Sequence, residues 1–432
     1  FGGFDGDYID GGAISERNIV DYSTFASAST INLSTGKAYL NSTPTLFDTL
    51  SNIQNVVGTS ASDTIMGKSG AANTLAGGAG DDTLSGNLDG DLLDGGAHTI
   101  GDTADYSAYT ASTNLTVDMG AQTIAQTSNS ANKDSFQNIE IIKTGAGADT
   151  FTVNATFDTG NYTLDGGSGE DTIDYGAISE AINVTLNGAT NTTVIVGTAG
   201  GNDDVIANIE DVKGSKVDDT IVGDGLSNKL YGNEGNDTLD GGAGSDVLYG
   251  GDGNDVIVGT QDGVSDVYYG GNASGTDTGT MDRIDYTAVA SNITLTSGTN
   301  VSNSAVGADI LNGIEIFDSG SGADTLSGGS ASITIYGNLG SDKITGGTGN
   351  DLLYGDTIGN IHADSQNILA GGAGNDTLYA GSAGDTLRGD AGNDTIFGGA
   401  GIDTLDYVTN NIAITALLNA GVINGDGSDI ND

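Results

Sequence analysis

Aspartate is the side chain of this 432-residue sequence whose number and spacing could do chemistry. From Gly214 to Val258 five consecutive nonamers run GSKVDDTIV, GDGLSNKLY, GNEGNDTLD, GGAGSDVLY and GGDGNDVIV. Their sixth position is Asp219, Asn228, Asp237, Asp246 and Asp255; their eighth is Ile221, Leu230, Leu239, Leu248 and Ile257. An array over 319–354 places Asp324, Ile333, Asp342 and Asp351 sixth, and one over 362–406 places Asn367, Asp376, Asp385, Asp394 and Asp403 there. Shorter runs lie at 2–10 (Asp7), 58–94 (Asp63, Asn73, Asp82, Asp91, with a ten-residue unit at 67–76) and 144–174 (Asp149, Asp171). Carboxylates among glycine-flanked carbonyls form an all-oxygen donor set. Calcium takes six to eight such ligands and tolerates irregular geometry.

The elements that must position these residues follow from the period. In each nonamer the first six residues, G-G-x-G-x-D, form a turn in which glycine permits positive φ and exposes carbonyls. The last three, x-U-x, form a short strand whose single large aliphatic points inward. One turn and one strand take nine residues, so a coil takes eighteen, and residues eighteen apart stack. Asp219 then lies over Asp237 over Asp255, Asp376 over Asp394, and Asp385 over Asp403. Such like-charge columns are unfavourable in isolation and become binding sites with a divalent cation between turns. Ordinary polar turns and metal-free Asn ladders are the alternative, and Ile333, Asn228 and Asn367 mark deficient positions.

A longer unit is superimposed. Asp-Tyr opens it at Tyr22, Tyr106, Tyr175, Tyr286 and Tyr407, an alternating strand follows (Ile31–Leu33, Leu115–Val117, Ile182–Leu186, Ile293–Leu295, Ile412–Ile414), and Asn-Ile-Gln/Glu or Gly-Ile-Glu closes it around Ile53, Ile139, Ile209 and Ile314. The turn Asp returns ten residues later each time, at Asp63, Asp149, Asp219 and Asp324. These segments, 21–57, 105–143, 174–213, 285–318 and a truncated 406–432, read as strands of the same solenoid, with the tyrosines capping or packing it. The chain reads as one elongated internal fragment, 1–432, of a longer polypeptide, since neither end resembles a polar cap.

Composition narrows the function. The net charge is −48, with 59 acidic residues against 11 basic ones. Such a polyanion repels phosphate and anionic lipid, which argues against nucleic acid or a membrane surface as partner. There is no Cys for a disulfide or thiolate site, and no apolar run approaches the ~18 residues of a membrane span. His98 and His362 stand alone in the sequence, without an HExxH pair, and no G-x-S-x-G elbow occurs. Gly67-Lys68-Ser69 lacks the upstream glycine of a phosphate loop and reads as a turn. The sequence is read as non-enzymatic.

The nonapeptide pattern resembles the repeats-in-toxin (RTX) calcium-binding proteins. The resemblance implies an all-β fold, a right-handed parallel β-roll or β-helix solenoid. It also implies Ca²⁺ ligation by Asp82, Asp91, Asp219, Asp237, Asp246, Asp255, Asp324, Asp342, Asp351, Asp376, Asp385, Asp394 and Asp403 with glycine-region carbonyls. It further implies export by type I secretion from a Gram-negative bacterium, with folding in extracellular calcium. Two functions then compete. One is a calcium-stabilised structural protein of the cell surface: a surface-layer subunit, adhesin stalk or matrix fibre, self-assembling into sheets or fibres and with cell-surface glycans as candidate partners. The other is the calcium-triggered folding and secretion region of a larger exoenzyme or toxin. Repeat content across nearly the whole chain favours the first.

Overall fold

The computed structural model describes residues 4–13, 17–154, 161–197, 203–275, 281–303, 305–356 and 365–407, together with the backbone strand Asp429–Asn431. The expected strand at Ile412–Ile414, His362 and the first residues of the 362–406 array lie outside the described residues. All regular elements described are strands. They form two compact units, Phe1–Lys213 and Gly214–Asp432, built on the same plan.

In the second unit Thr220–Val222, Thr238–Asp240 and Val256–Val258 stack in one parallel sheet, with Thr220 opposite Thr238 and Thr238 opposite Val256. The alternate strands Lys229–Glu234 and Val247–Asp252 stack in a second sheet, Lys229 opposite Val247. The eighteen-residue coil is therefore real. Ile221, Leu230, Leu239, Leu248 and Ile257 are fully buried between the two sheets. The core is one aliphatic wide, because x-U-x strands offer a single inward position each. Insertions lengthen coils without breaking register: Val247 pairs with Val267, Val256 with Arg283 and Lys343 with Ile368.

The first unit repeats the arrangement, with Thr64 opposite Thr83 in one sheet and Thr74 opposite Leu92 in the other. Four longer segments depart from a purely parallel coil. Each makes an antiparallel meander of three strands: Ser29–Asn32, Lys37–Leu40 and Asp48–Ser51 in the first. Its counterparts run Leu115–Asp118 to Asn129–Gln137, Ile182–Thr185 to Asp204–Ala207, and Thr294–Thr296 to Gly307–Asn312. The outer strands still join the parallel stack, as Thr30 with Thr64 and Thr49 with Tyr8 show. In the fourth meander Ser297 (φ 54°) and Gly298 (φ 69°) both adopt positive φ, the pattern of a type I′ hairpin turn.

The close of each long unit has a backbone reason. Asn52, Asn138 and Asn208 sit at φ 51–52° and Gly313 at φ 63°. That left-handed conformation is open mainly to Gly and Asn, which explains why Gly-Ile-Glu can replace Asn-Ile-Glu.

Candidate metal centre

The sixth-position residues form buried ladders. Asp237 Oδ1 accepts the Asp219 N–H at 2.8 Å, Asp255 Oδ1 accepts that of Asp237 at 2.8 Å, and Asp282 Oδ1 accepts that of Asp255 at 2.8 Å. Glu315, of the closing Gly-Ile-Glu, ends this column by accepting the Asp282 N–H at 3.0 Å. On the opposite edge Asn228, Asp246, Asp266 and Asp309 follow the same rule. So do Asp324, Asp342, Asn367, Asp385 and Asp403, and Ile333, Asp351, Asp376 and Asp394. Ile333 continues the ladder by its N–H but brings no carboxylate to it. In the first unit the columns are Asp63, Asp82, Asp102 and Glu140; Asn73, Asp91 and Asp134; and Asp149, Asp171 and Glu210.

Twelve of the thirteen aspartates expected as ligands are buried, and Asp403 is half-buried. What meets their second oxygen divides the columns. Where a long unit enters, a tyrosine hydroxyl donates to it: Tyr22 to Asp48 at 3.1 Å, Tyr106 to Asp134 at 2.6 Å, Tyr175 to Asp204 at 3.1 Å and Tyr286 to Asp309 at 2.7 Å. Tyr268 and Thr260 do the same for Asp266, at 2.8 and 3.0 Å. Where an array begins, a hydroxyl residue serves. The Ser215 N–H donates to Asp219 Oδ2 at 2.6 Å, its Oγ to Oδ1 at 2.9 Å, and Ser319 Oγ donates to Asp324 Oδ2.

At a further set of positions inside the arrays, the second oxygen meets no donor among the described residues. Oδ2 of Asp82, Asp91, Asp171, Asp237, Asp246, Asp342, Asp351, Asp376 and Asp385 is buried without a hydrogen-bond partner. Burial pushes Asp171, Asp237 and Asp342 up to about 8, and Asp82, Asp91, Asp246 and Asp385 up to about 7. The accepted backbone N–H opposes this rise, and neighbouring carboxylates add to it, as Asp219 and Asp255 do at Asp237. A buried acceptor lacking a donor is costly, and a buried charge lacking a counter-charge more so.

The donor set fits a hard cation. At the first glycine of the nonamer, a Cβ on Gly232 would fall 2.1 Å from Asp237 Oδ2 and 2.3 Å from the Gly250 carbonyl oxygen. Carboxylate and next-coil carbonyl thus converge on a cradle that only glycine leaves open. All converging atoms are oxygens, as calcium prefers. Among the described residues three carboxylates gather at Asp5, Asp7 and Asp48; the carboxylates of the longer arrays form no such group, so backbone carbonyls would have to complete a site there.

Sequence reading found the sixth-position columns and missed several of their members. Asp48, Asp134, Asp204 and Asp309 each lie five residues before the isoleucine of the closing motif, a constant offset that could have revealed them. A second, exposed ladder also went unread: Asn236 Oδ1 accepts the Asn254 N–H at 2.9 Å, and Asn375 Oδ1 that of Asn393 at 2.8 Å. Its signal is the Asn or Asp before the sixth position. His98, alone in the sequence, meets two carboxylates in space. Among the described residues no helix is long and apolar enough to cross a membrane.

A family model described as the RTX calcium-binding nonapeptide repeat (4 copies) matches residues 69–97, 213–248, 231–262, 309–332, 334–357 and 367–405. Those stretches contain all thirteen aspartates expected as ligands. No curated protein matches the chain.

Proposed function

Because the chain carries RTX calcium-binding repeats in both units, we propose that it is a calcium-stabilised structural protein of the cell exterior. It would be exported unfolded by type I secretion from a Gram-negative cell and folded by Ca²⁺ outside. The observation that carries this reading is that several buried carboxylates of the columns, Asp237 and Asp342 among them, have an Oδ2 without a donor. Asp82, Asp91, Asp237, Asp246, Asp342, Asp351, Asp376 and Asp385, with first-position glycine carbonyls, would hold the ion. The bound ion supplies positive charge inside the turns. The chain's own part is to align buried carboxylates in columns along opposite edges.

Low calcium leaves 48 net negative charges to repel one another, a state suited to passage through a narrow channel. High external calcium supplies the missing partners. Each unit has ladders of this kind of its own, which supports a scaffold role such as a surface layer, adhesin stalk or matrix fibre. Assembly would be expected to depend on calcium between acidic surfaces as well as within turns.

Electron microscopy of the intact protein tests this reading. Ordered sheets or fibres in millimolar calcium, lost on chelation, are the expected result. A monodisperse protein at high calcium that shows hydrolytic or membrane-lysing activity would instead place the repeats in a larger exoenzyme or toxin.

A further inference from the structure

One turn of the first unit departs from the rest. Gly95-Gly96-Ala97-His98-Thr99-Ile100-Gly101-Asp102 spans eight residues where a regular turn spans six, and His98 stands where the fourth-position glycine belongs. The extra residues are held down by Asp81, whose Oδ1 accepts the N–H groups of Thr99, Ile100 and Gly101 at 2.8, 2.7 and 3.3 Å. The turn closes against Glu140, from the Asn-Ile-Glu motif that follows the meander.

We propose that His98, Asp102 and Glu140 form a site for a divalent transition metal ion of the zinc type, chemically distinct from the oxygen-only turns. The three ligand atoms lie within 4.8 Å of one another. His98 Nδ1 is 3.1 Å from Glu140 Oε2 and 3.7 Å from Asp102 Oδ2. Nitrogen and oxygen ligands about 2.0–2.2 Å from a tetrahedral ion are about 3.4 Å apart, so these separations match the edges of such a site.

A second observation points the same way. The Asp102 side chain is 0% exposed, and its Oδ2 has no hydrogen-bond partner. Its other oxygen is fixed by the Asp82 N–H at 2.7 Å, while Glu140 Oε2 takes the Asp102 N–H at 2.9 Å. Both carboxylates are therefore oriented before any ion arrives, and the buried oxygen faces the imidazole. The His98 side chain is 34% exposed, which leaves the outer side open for entry and for a water ligand. Imidazole is a poor ligand for calcium and a good one for zinc, copper, nickel or cobalt, so the substitution of His for Gly changes the metal the turn prefers.

The test uses the full chain saturated with calcium. Zinc titration by calorimetry should find one tight site per chain, and cobalt should give the intense visible bands of a tetrahedral ion. His98→Ala and Glu140→Gln should each weaken zinc binding by about 10–100-fold or more. His362→Ala should leave binding and the cobalt bands intact, since His98 is then the one imidazole remaining. If H98A does not fold, the bands in H362A decide, because a nitrogen ligand there can come from His98 alone. Absence of zinc binding at calcium saturation, displacement of zinc by calcium, or full binding in both H98A and E140Q would overturn the proposal and leave an ordinary ion pair.

Discussion

At the scale of the residue, a carboxylate such as Asp237 uses one oxygen to hold the neighbouring coil and keeps the other for a cation. Asp237 and Asp219 occupy one column yet differ in what answers them. Asp219 has both oxygens engaged by Ser215, whereas Asp237 Oδ2 is without a donor. Asp237→Ala should therefore lose more bound calcium than Asp219→Ala. It also removes the acceptor for the Asp219 N–H, a charge-assisted bond that contributes about 1.5–3 kcal/mol. Calcium titration of the two variants, with thermal unfolding in saturating calcium, checks this; equal loss of ions would mean that the hydroxyl donors do not set occupancy. The columns were legible in the sequence because the period alone fixes which residues stack. The tyrosine partners were not, because Tyr22 meets Asp48 while Tyr286 meets Asp309, separations of 26 and 23 residues that no fixed period expresses.

At the scale of the element, short strands are set by turns rather than by strand propensity. Residues in the left-handed region decide where the chain reverses. Asn138 (φ 52°) closes the second long unit and donates from its side chain to Asp94 Oδ1 at 2.7 Å. Asn138→Gly should retain the backbone and lose only that exposed contact. Asn138→Val should cost about 1–2 kcal/mol more, because a β-branched side chain opposes positive φ. Unfolding of the two variants in saturating calcium gives the difference; equal stability would show that the left-handed turn does not define the boundary. The alternating strand after Asp-Tyr was legible from its period of two. Its antiparallel return strands were not, because Lys37–Leu40 and Asn300–Asn303 are four residues each, too short to show a period of their own. Their pairing comes from tertiary register, which no local pattern states.

At the scale of the whole molecule, the chain has a one-aliphatic core, 48 net negative charges and columns of buried carboxylates. Protons and cations compete for those columns. Folding raises the aspartate value from 3.8 to about 8 at Asp237 and Asp342 and to about 6 at Asp376. Without metal, the stability these groups contribute is fully present below the unfolded value and is lost as pH rises through about 6–8. Calcium should remove that dependence by taking the place of the protons, and should release them on binding.

The most direct test of the central claim, that the buried columns need a cation at neutral pH, is far-ultraviolet circular dichroism of the whole chain at pH 8 in chelator and in millimolar calcium, with a second chelator series at falling pH. The expected result is a largely unfolded signal in chelator at pH 8, β-structure on adding calcium, and partial recovery without calcium as pH falls from 8 toward 5. A full β-signal in chelator at pH 8, unchanged by calcium and by pH, would contradict it.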